Sequence, residues 1–150
     1  MKTKVLMVCL GNICRSPLAE GILTSKVDPK RVFVDSAGTA GYHVGNPPDG
    51  RSVAVARKNG LEIAHHRCRK VVVRDFREFD LIYAMDSKNL EDLLKMAPGP
   101  KEAQKVKLLL EEADLDFVEV PDPYYGTSKD FEKVYEMIDK ACGAIVKNLI

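Results

Sequence analysis

The sequence predicts an α/β fold built on a mainly parallel sheet, and three of its features point that way. Apolar runs without alternation, Val5-Leu6-Met7-Val8-Cys9-Leu10 and Leu81-Ile82-Tyr83-Ala84-Met85, suit strands buried on both faces. Segments with helical periodicity lie between and after them. Gly11-Asn12 breaks the first run, and Ser16-Pro17 then opens a helix, so strand, tight loop and helix follow one another directly.

Taken in order, residues 5–27 read as strand, loop and helix. Ser16 is the expected N-cap, and Leu18, Ala19, Ile22 and Leu23 share one helical face. Val32-Phe33-Val34 is a second short strand. Asp35 to Gly41 is small and polar and reads as a loop, as does Asn46-Pro47-Pro48-Asp49-Gly50. Arg51–Asn59 is a helix closed by Gly60. A buried strand follows within Phe79–Met85, and Asp86-Ser87 caps a helix that runs up to Pro98-Gly99-Pro100. Val106–Leu110 fits a strand or a helix, and a short edge strand is preferred. Pro121-Asp122-Pro123 forbids regular structure. From Lys129 onward Phe131, Val134, Tyr135, Ile138, Ala141, Cys142, Ile145, Val146 and Leu149 form one helical stripe.

Bulk composition narrows the function classes. The 150 residues suit a single domain spanning 1–150 with its own core, at 45% hydrophobic and 30% charged. Lys plus Arg is 23 and Asp plus Glu is 22, a net charge of +1, which argues against a nucleic-acid binder relying on bulk charge. Val5–Leu10 is too short for a secretory h-region, and no run approaches the ~20 apolar residues of a membrane span. Cys9, Cys14, Cys68 and Cys142 are expected as reduced thiols in a cytoplasmic protein, since a chain this size needs no disulfide staples. No C-x-x-C pair or H-x-x-x-H is present, so no metal site is expected. Neither the Walker A pattern nor G-x-G-x-x-G occurs.

The chemistry concentrates in Cys9-Leu10-Gly11-Asn12-Ile13-Cys14-Arg15-Ser16. A loop entering a helix can converge its backbone N–H groups and the helix dipole on an anion. Gly11 and Asn12 tolerate the positive φ that a ring of inward amides requires. Arg15 offers a planar fork for two phosphate oxygens. Cys9, at the strand end, faces the same bowl, and the potential that holds phosphate favours an anionic, nucleophilic sulfur. The Ser16 hydroxyl can donate to that sulfur and ease its departure from phosphorus. A lone strand-end cysteine is usually a small hydrophobe; here Gly-Asn, Arg and Ser-Pro all fall in register with it.

With these residues the chain closely resembles the low-molecular-weight protein tyrosine phosphatases. The matching segments are Val8 to Pro17, Asp35-Ser36-Ala37-Gly38-Thr39, His66-Arg67-Cys68-Arg69, Met85-Asp86 and Asp122-Pro123-Tyr124-Tyr125-Gly126, in family order and over nearly the whole chain. The larger classical tyrosine phosphatases place a His before the nucleophile, where this chain has Val8. The resemblance implies a three-layer fold with a four-stranded parallel sheet flanked by helices, and a phosphate-binding loop from residue 10 to 16 between the first strand and first helix. It implies hydrolysis of phosphotyrosine in proteins, and of small aryl phosphates, without a cofactor. Cys9 would carry a phosphocysteine intermediate, Arg15 would clamp phosphate, and Asp122 would be general acid and then base. Asn12, Ser36 and His66 would hold the loop by mutual hydrogen bonds.

The resemblance also places Tyr124 and Tyr125 on one wall of a substrate cleft and Tyr42 on the other, with Leu10 and Ile13 at the rim. Ile13 favours phosphotyrosine, since relatives preferring phosphoarginine tend to carry Thr there. It further implies a reversible Cys9–Cys14 disulfide guarding the nucleophile. Cys68 and Cys142 are expected to pack without chemistry. The expected partner is a protein bearing phosphotyrosine, with the enzyme a monomer or weak homodimer. Two alternatives compete with this reading. An arsenate reductase of the same fold needs two further cysteines after the middle of the chain, and residues 71–110 contain none. A non-catalytic phosphate-binding module would lack Cys9 or Asp122.

Overall fold

Every strand among the described residues is parallel to its neighbours. The computed structural model describes residues 2–113 and 115–149. Strand β1 (Thr3–Cys9) leads through the Gly-Asn loop into helix α1 (Arg15–Lys26). Strand β2 (Val32–Gly38), helix α2 (Gly50–Lys58), the single turn α3 (Asp75–Glu78), strand β3 (Leu81–Ala84) and helix α4 (Ser87–Met96) follow. The turn α5 (Pro100–Ala103), strand β4 (Val106–Leu108), a 3-10 turn (Leu109–Glu112) and helix α6 (Ser128–Leu149) complete the order. The strands lie in the order β2-β1-β3-β4, all parallel, with Val8 opposite both Ala37 and Ala84.

The unbroken apolar run of β1 serves two cores at once. Alternate residues point to opposite faces: Val5, Met7 and Cys9 pack with α1, α2 and α6, whereas Leu6 and Val8 pack with Phe76, Phe79, Ile82 and Leu93. A strand covered on both faces has no polar side to show, hence the missing alternation. In α6 the buried residues Phe131, Val134, Ile138, Ala141, Cys142 and Ile145 form the expected stripe.

Four local readings need correction. Asp35 to Gly38 is strand, because these residues pair with Leu6 to Cys9 of β1; a polar sequence is tolerated there since the side chains enter a hydrogen-bonded network. Helix α1 begins at Arg15 with Cys14 in the N-cap position, so Ser16 is not the cap; its hydroxyl is turned to Cys9 instead. Helix α2 begins at Gly50, capped by the Asp49 carboxylate, which accepts from Arg51 N–H. Leu109 and Leu110 lie in the 3-10 turn beyond β4. At the far end of α2, Gly60 has φ 80° and closes the helix through Gly60 N–H to Arg57 O and Leu61 N–H to Ala56 O. No helix among the described residues is long and apolar enough to cross a membrane.

Candidate active site

Parallel strands end their carboxyl termini on the same side, and the loops leaving β1 and β3 therefore meet. Cys9 ends β1 and is 3% exposed. Its Sγ lies 3.0 Å from Ser16 Oγ. Asn12 is the one non-glycine residue with positive φ among the described residues, at 58°, as the loop chemistry requires. Its amide is fully used. Nδ2 donates to Ser16 Oγ (2.8 Å) and Ser36 Oγ (3.0 Å), and Oδ1 accepts from His66 Nε2 (2.9 Å) and Arg69 N–H (3.0 Å). Ser16 Oγ accepts from Asn12 Nδ2 and also lies 3.5 Å from Ala37 O, which it can reach as a donor, so its proton is shared between that carbonyl and the Cys9 sulfur.

The expected trio of Asn12, Ser36 and His66 thus comes together, with a fourth member that sequence reasoning missed. Ser36 donates to Glu20 Oε1 at 2.6 Å, and His66 Nδ1 lies 3.3 Å from the same oxygen. With Nε2 donating to a carbonyl, Nδ1 holds the lone pair of a neutral ring. Burial pushes the Glu20 carboxyl up to about 7 and draws His66 below the ordinary imidazole range. Cys68, also behind the loop, donates from Sγ to Asn12 O at 2.9 Å; its thiol is pushed up to about 11, chiefly by burial. It packs, as does the fully buried Cys142.

Arg15 is 2% exposed. Its Nη1 donates to Asp86 Oδ2 at 2.6 Å and to Val120 O at 3.0 Å. Its Nη2 faces Asp122 Oδ2 at 3.7 Å. Burial works against the guanidinium charge, but Cys9, Asp86 and Asp122 outweigh it and raise its pKa. Asp86 does double duty: Oδ1 caps α4 by accepting from Asn89 N–H, and Oδ2 fixes Arg15. Sequence alone suggested the cap; the ion pair follows from β1 and β3 being neighbours.

A cleft of about 360 Å³ opens above these groups, lined by Cys9, Leu10, Gly11, Ile13, Cys14 and Arg15 below and by Tyr42, His43, Asp122, Tyr124 and Tyr125 around the mouth. Tyr124 and Tyr125 pack edge to face, ring centroids 4.9 Å apart. Tyr42 is 75% and Tyr125 96% exposed, so large apolar rings stand free at the rim. His43 was not anticipated; it packs edge-on to Tyr42 and approaches Gly11. Cys14 lies in the same wall as Cys9, its thiol pushed up to about 12 by burial, Asp49 and Cys9. Glu20, Asp35 and His66 have donor atoms within 4.8 Å of one another, but Arg69 already occupies Asp35 and Ser36 already donates to Glu20.

Comparison with known proteins agrees with this geometry. The low molecular weight phosphotyrosine protein phosphatase family model matches residues 4–150. The phosphatase of that name from Gallus gallus is 41% identical over 148 residues, covering 95% of this chain and 93% of the relative. The one from Schizosaccharomyces pombe is 43% identical over 143 residues, covering 91% and 90%. The crystal structure of the Entamoeba histolytica protein tyrosine phosphatase with Hepes in its active site superposes with a TM-score of 0.94, at 37% identity, covering 99% of this chain and 97% of that one. A family model that spans nearly the whole chain, and relatives matched over essentially their whole length, leave one assignment: the chain belongs to the low molecular weight phosphotyrosine protein phosphatase family.

Proposed function

We propose that this protein hydrolyses phosphotyrosine in proteins, and small aryl phosphates, through a phosphocysteine at Cys9. The observation that supports this best is the convergence of Cys9, Arg15 and Asp122 on one cleft beneath a rim of tyrosines. Arg15 Nη2 and the amides of residues 10–16 hold the phosphate oxygens. Cys9 Sγ attacks phosphorus, and the P–O bond to the phenol breaks while Asp122 supplies the proton the phenolate takes. Water then attacks the phosphocysteine, Asp122 accepts its proton, and sulfur leaves with the Ser16 hydroxyl hydrogen-bonded to it. The charge on the transferring group is met by fixed dipoles and a guanidinium that Asp86 and Val120 already hold, so little reorganisation remains for the reaction.

Tyr42, Tyr124 and Tyr125 form the walls against which the substrate ring stacks, with Leu10 and Ile13 at the floor of the rim. Asn12, Ser36 and His66 keep the loop in its left-handed turn. Cys14 is the partner with which Cys9 forms a reversible disulfide under oxidation, which takes the nucleophile out of use and spares it further oxidation. Mass spectrometry after mild peroxide is expected to find the Cys9–Cys14 link; finding Cys9 as sulfinic acid instead would sink that part.

The principal test is turnover of p-nitrophenyl phosphate and a phosphotyrosine peptide. Cys9→Ser is expected to abolish both. Asp122→Asn is expected to lose on the order of 10²-fold or more on the peptide and less on the better leaving group. Full activity in Cys9→Ser would overturn the reading.

A further inference from the structure

We propose that Asp49 and Arg51 act as positioning residues, a brace that fixes the Asp122-bearing segment over the phosphate loop for proton transfer to the leaving group. This rests on the catalytic reading given above. Residues 120–127 have no regular structure and must be held by other means. One end is tied down: Val120 is fully buried, its N–H donates to Met85 O at 2.8 Å, and its carbonyl accepts from Arg15. Asp122 itself is about half exposed, its side chain at 45%, and its only hydrogen bond among the described residues is the local one from Tyr124 N–H.

The other end is held by Arg51. Its Nη2 donates to Tyr124 O at 2.8 Å and its Nη1 to Gly126 O at 3.3 Å. Its Cζ lies over the Phe131 ring, 4.6 Å from the centroid, and over the Tyr124 ring, 5.7 Å from the centroid. Arg51 is in turn fixed by Asp49, whose Oδ1 accepts from Nε (3.1 Å) and whose Oδ2 accepts from Nη2 (3.0 Å). Asp49 N–H donates to Ile13 O at 2.8 Å. Ser52, one residue beyond Arg51, donates from Oγ to Cys14 O at 3.2 Å. An unbroken series of bonds therefore runs from the carbonyl of Ile13, inside the phosphate loop, to the carbonyls on either side of Tyr125. The acid is registered against the nucleophile's own loop through the first turn of α2. Proton transfer is steeply sensitive to donor placement, so loosening this brace acts on the chemical step.

The test measures kcat/KM on aryl phosphates whose phenols range from p-nitrophenol to phenol, with the full chain. Arg51→Ala is expected to lose about tenfold on phenyl phosphate and phosphotyrosine but under about threefold on p-nitrophenyl phosphate. In an Asp122→Asn background it is expected to add less than about twofold, since there is no acid left to position. Asp49→Asn retains a good helix cap and weakens the hold on Arg51, so it should show the same leaving-group pattern in milder form even if Arg51→Ala folds poorly. Equal losses across all leaving groups, or a full additional loss on top of Asp122→Asn, would overturn the brace. Failure of the wild type to hydrolyse any aryl phosphate would instead refute the catalytic reading.

Discussion

Replacing Asn12 separates the two things this residue does. It is fully buried, sits at φ 58°, and uses all four hydrogen-bonding positions of its amide. Asn12→Gly removes the four bonds while keeping freedom to adopt the turn. At ~1 kcal/mol net per bond the loss is about 4 kcal/mol, because His66 Nε2 and Arg69 N–H lose a buried acceptor. Asn12→Ala removes the same bonds and forces a Cβ into the left-handed region, adding about 1 kcal/mol. A domain of this kind has ~5–15 kcal/mol to lose, so both variants fold but with a narrow margin. Urea unfolding followed by far-UV circular dichroism reads the difference, with p-nitrophenyl phosphate turnover alongside. Activity is expected to fall in both, because Ser16, 3.0 Å from the Cys9 sulfur, loses the Asn12 amide that holds its hydroxyl in place. If Ala and Gly unfold at the same midpoint, the left-handed turn is not under steric constraint. If both lie within about 1 kcal/mol of wild type, the network does not hold the loop.

Three further outcomes follow from other sites. A Cβ at Gly38 would meet Leu10 O at 2.7 Å and Asn12 N at 3.1 Å, both backbone atoms of the loop; Gly38→Ala is expected to cost about 2–3 kcal/mol and at least tenfold in turnover, whereas Gly143→Ala in α6, where nothing lies within 4 Å, should be neutral or stabilising by up to about 1 kcal/mol. The Glu20 carboxyl, at about 7 when folded against an ordinary 4.5, contributes stability that is full below about 4.5 and is lost as pH rises through about 7. Gln cannot ionise, so Glu20→Gln should gain on wild type between pH 5 and 8 by up to about 3 kcal/mol at ~1.4 kcal/mol per pH unit. Urea midpoints that run parallel over that range would refute the assignment.

Much of the site was legible because its chemistry is contiguous. Cys9, Asn12, Arg15 and Ser16 lie within eight residues, and a strand that breaks at Gly-Asn and re-enters a helix has few conformations that satisfy its amides. Ser16 reads as a helix cap from sequence, but α1 begins one residue earlier, at Arg15, and the Ser16 hydroxyl lies inside the first turn, 3.0 Å from the Cys9 sulfur. The stretch from Asp35 to Gly38 looked like a loop because local polarity normally marks one. Its polarity instead serves Asn12, Glu20 and Arg69 from within a strand.

The sequence by itself determined the β1-loop-α1 unit, the two-faced burial of β1 and the α6 stripe, since periodicity and turn chemistry act over one or two turns of chain. Tertiary structure alone decided that Asp86 meets Arg15 across 71 positions, Glu20 meets Ser36 and His66, and Arg51 reaches the carbonyls of Tyr124 and Gly126. These partners are set by the strand order β2-β1-β3-β4, which brings the loops after β1 and β3 to one edge. Hydrogen bonds are short-ranged and blind to sequence separation, so no local pattern could have announced which carboxylate would face which donor.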